Sequence, residues 1–174
     1  MRIAVVGAGG VGGGFGAALA KAGADVTFIA RGAHLAAMKN AGLKIQGGRG
    51  ETHLVPTKAT DTPAEIGTVD IVLFCVKLWD VESAGERIKP LVGPDTAVIP
   101  LQNGIDAAER LIPILGKNAV MGGVAQIWRR SPPPASSRRS ATSCACCSAR
   151  SMAAAASEVK IFSHYARRLV SMRC

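Results

Sequence analysis

The stretch that most constrains the fold lies at the amino terminus, where a short apolar run meets three spaced glycines. Residues 3–6 are Ile-Ala-Val-Val, which is typical of a strand buried on both faces. Gly7, Gly9 and Gly12 follow as G-x-G-x-x-G, at the point where the strand should give way to a helix. The first glycine permits a tight turn, the second leaves room for a phosphate, and the third lets the helix pack closely on the strand. The motif therefore predicts a dinucleotide site, the alternative being a glycine turn that only connects two elements.

The residues after this turn complete one β-α-β unit. Five apolar residues recur at helical spacing and predict one apolar helix face: Val11, Phe15, Ala18, Leu19 and Ala22. Gly23 is suited to end that helix in the left-handed conformation. A second apolar strand follows at residues 25–30, and the whole unit has the expected length of about 30 residues.

The residue that follows the second strand bears on which dinucleotide binds. A site for NAD usually carries Asp or Glu there, which accepts hydrogen bonds from the ribose hydroxyls. This chain has Ala30-Arg31-Gly32 instead. A guanidinium can hold a 2′-phosphate through two charge-assisted hydrogen bonds, whereas a carboxylate would repel it. Arg31 therefore favours NADP over NAD, the alternative being a solvated arginine at a strand end.

Helix and strand patterns alternate along the rest of the body. In chain order they predict a helix over 34–41, a hairpin of 43–46 and 52–55, a strand over 69–76, a helix over 80–92, a strand over 96–100, a helix over 106–115 and a strand over 119–121. Repeated β-α units specify an α/β fold, a Rossmann-like doubly wound and mostly parallel sheet.

Two polar residues follow strands of that sheet. In open α/β sheets ligands bind at the carboxyl ends of the strands. Lys77 follows the strand over 69–76, and Asn103, whose amide both donates and accepts, follows the strand over 96–100. Both are candidates for ligand contact, although Lys77 can equally be a strand-end lysine that only reaches solvent.

The formal charge of +9 is concentrated at one end of the chain. Residues 1–127 hold 12 Lys and Arg against 11 Asp and Glu, whereas residues 128–174 hold 9 against 1. We therefore predict a dinucleotide-binding domain over 1–127, followed by an irregular basic tail rich in Arg, Ser, Pro and Cys, disordered at least as far as residue 151. A nucleic-acid or acidic-lipid partner is an alternative for the tail. It is disfavoured because no amphipathic helix or interleaved aromatic residues accompany the arginines.

Cysteine and histidine show no pattern that demands a metal or a disulfide framework. The cysteines at 144–147 are remote from the nearest histidine, His164, and His34 and His53 lack neighbouring ligands. Five cysteines without regular spacing do not suggest a secreted disulfide scaffold. No apolar run is long enough for a membrane span, and the glycines interrupt the one that superficially resembles a signal peptide. We expect a cytoplasmic protein with neither metal nor membrane partner.

Five stretches together resemble the ketopantoate reductase (2-dehydropantoate 2-reductase) family. They are G-A-G-G-V-G, V-T-F-I-A-R-G-A-H-L, V-K-L-W-D-V, L-Q-N-G-I-D and G-G-V-A-Q-I, in that order over residues 1–127. Members of the family use NADPH to reduce ketopantoate to pantoate, on the route to pantothenate and coenzyme A. The resemblance implies an NADP-dependent oxidoreductase with a small 2-oxo acid as substrate, and a related 2-oxo acid remains open.

The resemblance also implies roles for individual residues. It places the cofactor diphosphate at six of them: Gly7, Ala8, Gly9, Gly10, Val11 and Gly12. It gives the 2′-phosphate to Arg31, and it puts Lys77 and Asn103 along the cofactor, with Asn103 also near the substrate. The family's second, helical domain, which supplies a proton-donating lysine, is expected to be missing here, so the catalytic residue is unknown. We expect a nearly inactive chain, or alternatively a stand-alone NADP-binding module, and the oligomeric state is not predicted.

The abrupt change of composition after Ile127 suggests a reading-frame shift in a G+C-rich gene. In a shifted frame, permissible codons for residues 128–137 can spell Ala-Thr-Ile-Ala-Ala-Pro-Gly-Val-Val. That resembles what family members carry after G-G-V-A-Q-I. The nucleotide sequence of the gene tests this hypothesis.

Overall fold

A five-stranded parallel sheet lies at the centre of the computed structural model, which describes residues 1–47, 50–104, 106–123, 125–128 and 144–147. The strands are β1 (Arg2–Val6), β2 (Asp25–Ile29), β3 (Leu43–Gly47), β4 (Gly50–Leu54), β5 (Ala59–Thr60), β6 (Ile71–Phe74), β7 (Ala97–Pro100), β8 (Ala125–Trp128) and β9 (Cys144–Cys147). The helices are α1 (Gly10–Lys21), α2 (Gly32–Ala41), α3 (Val81–Arg87) and α4 (Ala107–Leu115). The central sheet has the order β5-β2-β1-β6-β7, while β3 pairs with β4 and β8 pairs with β9, both antiparallel.

Both faces of the central sheet are buried, because its side chains alternate between two separate cores. In β1, Ile3 and Val5 pack on the face covered by α1 and α2, whereas Ala4 and Val6 pack on the face covered by α3 and α4. Such two-sided burial requires the continuous apolar runs seen in the sequence. The Rossmann-like, doubly wound parallel sheet is therefore confirmed.

Helix α1 packs against the sheet through buried apolar side chains and through glycines. Phe15 and Leu19 are buried as predicted, but the other three members of the predicted apolar face are only half-buried. A Cβ on Gly16 would overlap the ring of Phe28, so the helix approaches β2 more closely than any larger residue allows. The helix ends as predicted, with Gly23 at a φ of 93° and the Ala24 amide donating to an earlier carbonyl of the helix.

Several elements differ from the sequence-based prediction. Strand β5 at the sheet edge was not predicted, since two residues carry no periodicity. The helix expected over 80–92 stops at Arg87 and continues as a 3₁₀ turn over Lys89–Leu91, which contains Pro90. The strand expected over 119–121 is reduced to one parallel bridge between Val120 and Val98.

Further differences are β8, which was not predicted, and a strand in the basic tail. Strand β9 pairs with β8, so the tail predicted to be irregular contains a strand at 144–147. Most of the tail, including the remainder of the stretch predicted to be disordered up to residue 151, lies outside the described residues. The boundary at residue 127 and the frame-shift hypothesis therefore stay predictions.

Candidate functional site

The glycine turn between β1 and α1 is held by backbone contacts to both neighbouring strands. Gly7 has a φ of 91°, in the left-handed region that favours glycine. Its amide donates to the carbonyl of Ile29 at 3.1 Å, and a Cβ on it would lie 2.9 Å from the carbonyl oxygen of Cys75. The turn therefore has room only for backbone, and only glycine can make it.

The start of α1 has the properties of an anion site. A Cβ on Gly12 would overlap the carbonyl oxygen of Gly7, so the first turn of the helix lies directly against the strand end. Gly9 and Gly10 face open space, because a Cβ at either position would have no atom within 4 Å. The amides of Gly10, Val11 and Gly12 belong to the first helical turn, where no intrahelical acceptor exists, and the N-cap residue Gly9 has no side chain that could cap them. These residues fit a diphosphate, because the free donors and the positive end of the helix dipole meet where there is space for the group.

A crevice of about 270 Å³ continues from the glycine turn between the carboxyl ends of β2 and β6. Apolar side chains form most of its wall, and charged side chains stand at its rim. Its lining residues are Val6, Gly7, Ala8, Ile29, Ala30, Arg31, His34, Pro63, Val76, Asp80, Ser83, Ala84, Arg87 and Ile88. An apolar wall with a few convergent polar groups is typical of a ligand pocket, and here it suits a nucleoside.

Arg31 lies at the rim of this crevice, directly after β2. Its backbone is extended at φ −132° and ψ 155°, and its side chain is 64% exposed. The guanidinium nitrogen Nη2 lies 3.6 Å from Oδ2 of Asp80, which belongs to the opposite wall. Arg31 therefore presents a cationic group at the mouth of the crevice.

His34 was predicted to have no special role, but it lines the crevice and contacts the glycine turn. Its Nε2 lies 3.0 Å from the carbonyl oxygen of Ala8, to which it donates a hydrogen bond. The contact ties the first turn of α2 to the turn before α1. The sequence signal is its position three residues after Arg31, on the first helical turn, where side chains return toward the strand end.

The opposite wall of the crevice was also missed at the sequence level. Asp80, Ser83 and Arg87 lie on one helical face, and Arg87 donates to the carbonyl oxygen of Asp61 at 2.7 Å. The spacing i, i+3, i+7 identifies a helix face. The apolar periodicity of the same segment predicts only the face that packs on the core, so it assigns no role to these polar residues.

Lys77 and Asn103 share one edge of the sheet, as predicted, but neither lines the crevice. Lys77 follows β6 and Asn103 follows β7, and these strands are parallel neighbours. Gln102 joins the two strand ends, because its amide donates to the carbonyl oxygens of Phe74 at 3.0 Å and Val76 at 3.2 Å. Both Lys77 and Asn103 are exposed, so they are accessible to a ligand that extends beyond the glycine turn.

Neither a metal centre nor a membrane span is found within the described ranges. Among those residues, no group of three His, Cys, Asp or Glu side chains is arranged to hold a metal ion. Within the same ranges, no helix has the length and apolar character needed to cross a bilayer.

The fold and the glycine turn define a Rossmann-like domain. The family profile described as "Ketopantoate reductase PanE/ApbA" matches residues 3–141, and the chain belongs to this family. It is 39% identical over 106 residues to the 2-dehydropantoate 2-reductase of Mesorhizobium japonicum, an alignment that covers 60% of this chain and 32% of that protein.

Solved structures extend the comparison. The 2-dehydropantoate 2-reductase of Porphyromonas gingivalis aligns with a TM-score of 0.68 and 42% identity over 77% of this chain and 49% of its own. A D-mandelate dehydrogenase solved with NADH and anilino(oxo)acetate aligns with a TM-score of 0.67 and 25% identity over 77% and 44%. The chain spans between about a third and two fifths of the length of the curated relatives it matches.

Proposed function

We propose that this chain provides the cofactor half of an NADPH-dependent reductase that converts 2-dehydropantoate to pantoate. The observation that carries the proposal is the guanidinium of Arg31, which follows β2 at the rim of the crevice that continues from the glycine turn. A guanidinium at this position suits a 2′-phosphate, and the amides suit a diphosphate. Membership of the ketopantoate reductase family supports the substrate.

In this proposal each part of the site has one task. The amides of Gly10, Val11 and Gly12 bind the diphosphate, while Gly7, Ala8 and Gly9 shape the turn that leaves it room. The crevice between β2 and β6 receives the adenosine, with Arg31 at its phosphate. Lys77 and Asn103 lie along the cofactor at the ends of β6 and β7, and Asn103 also contacts the substrate. The bound cofactor supplies a hydride to the keto carbon.

We propose further that residues 1–174 alone are nearly inactive as a reductase. The described residues hold the binding elements, but none of them is identified as the proton donor to the substrate oxygen. An NADP-binding module without chemistry is the second candidate, because the elements that suit a dinucleotide lie within the described residues. A related 2-oxo acid is a candidate substrate because a D-mandelate dehydrogenase shares the fold. Cytoplasmic location belongs to the same proposal.

Titration with NADPH and NADH tests the cofactor assignment. We expect the wild-type chain to prefer NADPH. Arg31→Ala should weaken NADPH binding by roughly 10- to 100-fold, the value of a hydrogen-bonded charge, and change NADH binding by less than about threefold. Lys39→Ala removes an exposed positive charge from the same helix, α2, and serves as the control. Equal losses for the two nucleotides in Arg31→Ala would contradict the assignment.

Turnover of 2-dehydropantoate tests whether this chain is active by itself. Purified 174-residue chain is assayed with NADPH beside a full-length family member as the positive control. We expect turnover far below that of the control. A comparable rate would contradict the proposal that this chain is inactive by itself, and it would exclude the binding module. The nucleotide sequence of the gene tests the frame-shift hypothesis independently, since an uninterrupted family-like frame would overturn it.

A further inference from the structure

Asp80 stands opposite Arg31 across the mouth of the crevice. Its Oδ2 lies 3.6 Å from Nη2 of Arg31, and its side chain is 31% exposed against 64% for the arginine. Among the described residues that line the crevice, Asp80 is the sole carboxylate, while Arg31 and Arg87 are the strong cations. The acidic and basic groups therefore meet at one place on the rim.

The local structure leaves the carboxylate of Asp80 available to the rim. Asp80 occupies the N-cap position of α3, where an aspartate commonly accepts hydrogen bonds from the next helical amides. No such side-chain bond is made here. The carboxylate is directed toward Arg31 instead, so its contact with the guanidinium replaces the usual capping role.

Opposite charges on the two walls affect the two forms of the cofactor in opposite ways. The 2′-phosphate of NADPH must compete with Asp80 for the guanidinium of Arg31, and it must approach a carboxylate of like charge. The 2′-hydroxyl of NADH carries no charge and can donate a hydrogen bond to that carboxylate. One side chain therefore opposes NADPH and assists NADH.

We infer that Asp80 is a specificity-determining residue that limits the preference for NADPH over NADH. This inference depends on the proposed function, because it assumes that the crevice holds the adenosine end of the cofactor. Arg31 provides the attraction for the 2′-phosphate, and Asp80 sets how far that attraction excludes the unphosphorylated dinucleotide. Arg31 and Asp80 together allow the protein to bind NADH as well, which the Arg31 side chain alone would not predict.

The Asp80→Asn variant tests the inference by removing the charge with little change in shape. We expect NADPH binding to strengthen about threefold, the range of an exposed ion pair, and NADH binding to weaken about tenfold, as for a lost bond to a charged group. The ratio of the two affinities should therefore rise about thirtyfold. Calorimetry measures both affinities on the whole 174-residue chain. Trp79, which is 77% exposed and adjacent to Asp80, offers a fluorescence readout.

Control variants separate a specific effect from a general one. Glu86→Gln removes a carboxylate from the same helix, where it pairs with Lys89 away from the crevice, and should leave the ratio unchanged. Asp80→Ser keeps a side chain that can cap α3, so it provides the measurement if the asparagine variant does not fold. In the background of Arg31→Ala, removing the charge of Asp80 should no longer strengthen NADPH binding by relieving competition for the guanidinium.

The possible outcomes distinguish this inference from the proposed function. If the wild-type chain binds neither NADPH nor NADH, the proposed function is overturned and the inference with it. If Arg31→Ala selectively weakens NADPH binding but Asp80→Asn leaves the affinity ratio within about twofold of wild type, the inference alone is overturned. A rise of the ratio in Asp80→Asn, absent from Glu86→Gln, supports both.

Discussion

The glycine turn and the rim of the crevice differ in which atoms they present to a ligand. The glycine turn presents backbone atoms, because there is no room for side chains. A Cβ on Gly7 or Gly12 would meet main-chain atoms of the same turn or of the residues that follow β6. The rim presents exposed side chains instead, and Arg31 and Asp80 form one long ion pair there. A larger side chain in the turn would therefore disturb the packing of the sheet, whereas a substitution at the rim would leave the core unchanged.

This difference separates two properties of a dinucleotide site. The glycine turn suits the diphosphate, which every nicotinamide dinucleotide carries. In the proposed function the rim meets the 2′ position of the cofactor, where the phosphorylated and unphosphorylated forms differ. Substitutions in the turn should therefore affect folding and both cofactors, whereas substitutions at the rim should affect the choice between them.

The largest effect is expected for Gly12→Ala. Because the added carbon would overlap the carbonyl oxygen of Gly7, α1 must move away from β1. We expect the free energy of unfolding to fall by about 2–3 kcal/mol and binding of NADPH and NADH to be lost together. Chemical denaturation and titration measure the two effects.

Gly14→Ala is the matched control for that variant. Gly14 lies in the same helix, and a Cβ there meets no atom within 4 Å. The substitution should raise the free energy of unfolding by about 0.5–1 kcal/mol, the usual gain for alanine over glycine inside a helix. If Gly12→Ala and Gly14→Ala have the same free energy of unfolding and bind both cofactors equally well, the turn does not depend on the close packing at Gly12.

Arg31→Lys should have the next largest effect, and only on one cofactor. Lysine keeps the charge but loses the planar fork that binds a phosphate through two hydrogen bonds. We expect NADPH binding to weaken about tenfold, NADH binding to stay within about twofold, and thermal stability to be unchanged. An equal loss of affinity for both nucleotides would contradict the role of Arg31 at the 2′-phosphate.

His34→Ala should have a smaller effect that is equal for both cofactors. The variant loses one hydrogen bond to Ala8, worth about 1 kcal/mol, so binding should weaken about fivefold for NADPH and NADH alike. Asn40→Ala, exposed on the same helix, is the control. A loss of affinity for NADPH alone would show that His34 acts on the choice of cofactor, as the rim residues do, and not on the glycine turn.

The smallest effect is expected for Glu82→Gln on α3, the helix that begins directly after Asp80. Glu82 on α3 accepts two hydrogen bonds from Arg110 on α4, at 2.6 and 2.7 Å, and these bonds lower the pKa of Glu82. Because the lowered pKa applies to the folded state, the stabilisation is present above the ordinary glutamate pKa and disappears as the pH falls through the lowered value. The melting-temperature difference between wild type and Glu82→Gln should be small at neutral pH and vanish in acid. The same series on Glu109→Gln, exposed on α4, is the control, and a difference that grows in acid would contradict the prediction.

Much of the fold was predictable because its signals are local. The strand before Gly7 and the helix end at Gly23 each depend on neighbouring residues, and both are present. The glycine-lined face of α1 was not predictable in the same way. A periodicity of large apolar residues does not detect a helix that packs by the absence of side chains, as Gly16 does against Phe28.

The sequence by itself determined the class of fold, the position of the glycine turn and the candidate roles of Arg31, Lys77 and Asn103. Only the tertiary structure decided which side chains meet at the crevice. β1 pairs with β2 on one side and with β6 on the other, so the segments after β2 and β6 converge although they are distant in the chain. The contact between Arg31 and Asp80 follows from that pairing. No local pattern encodes it, because strand order is set by how the whole sheet buries its two faces.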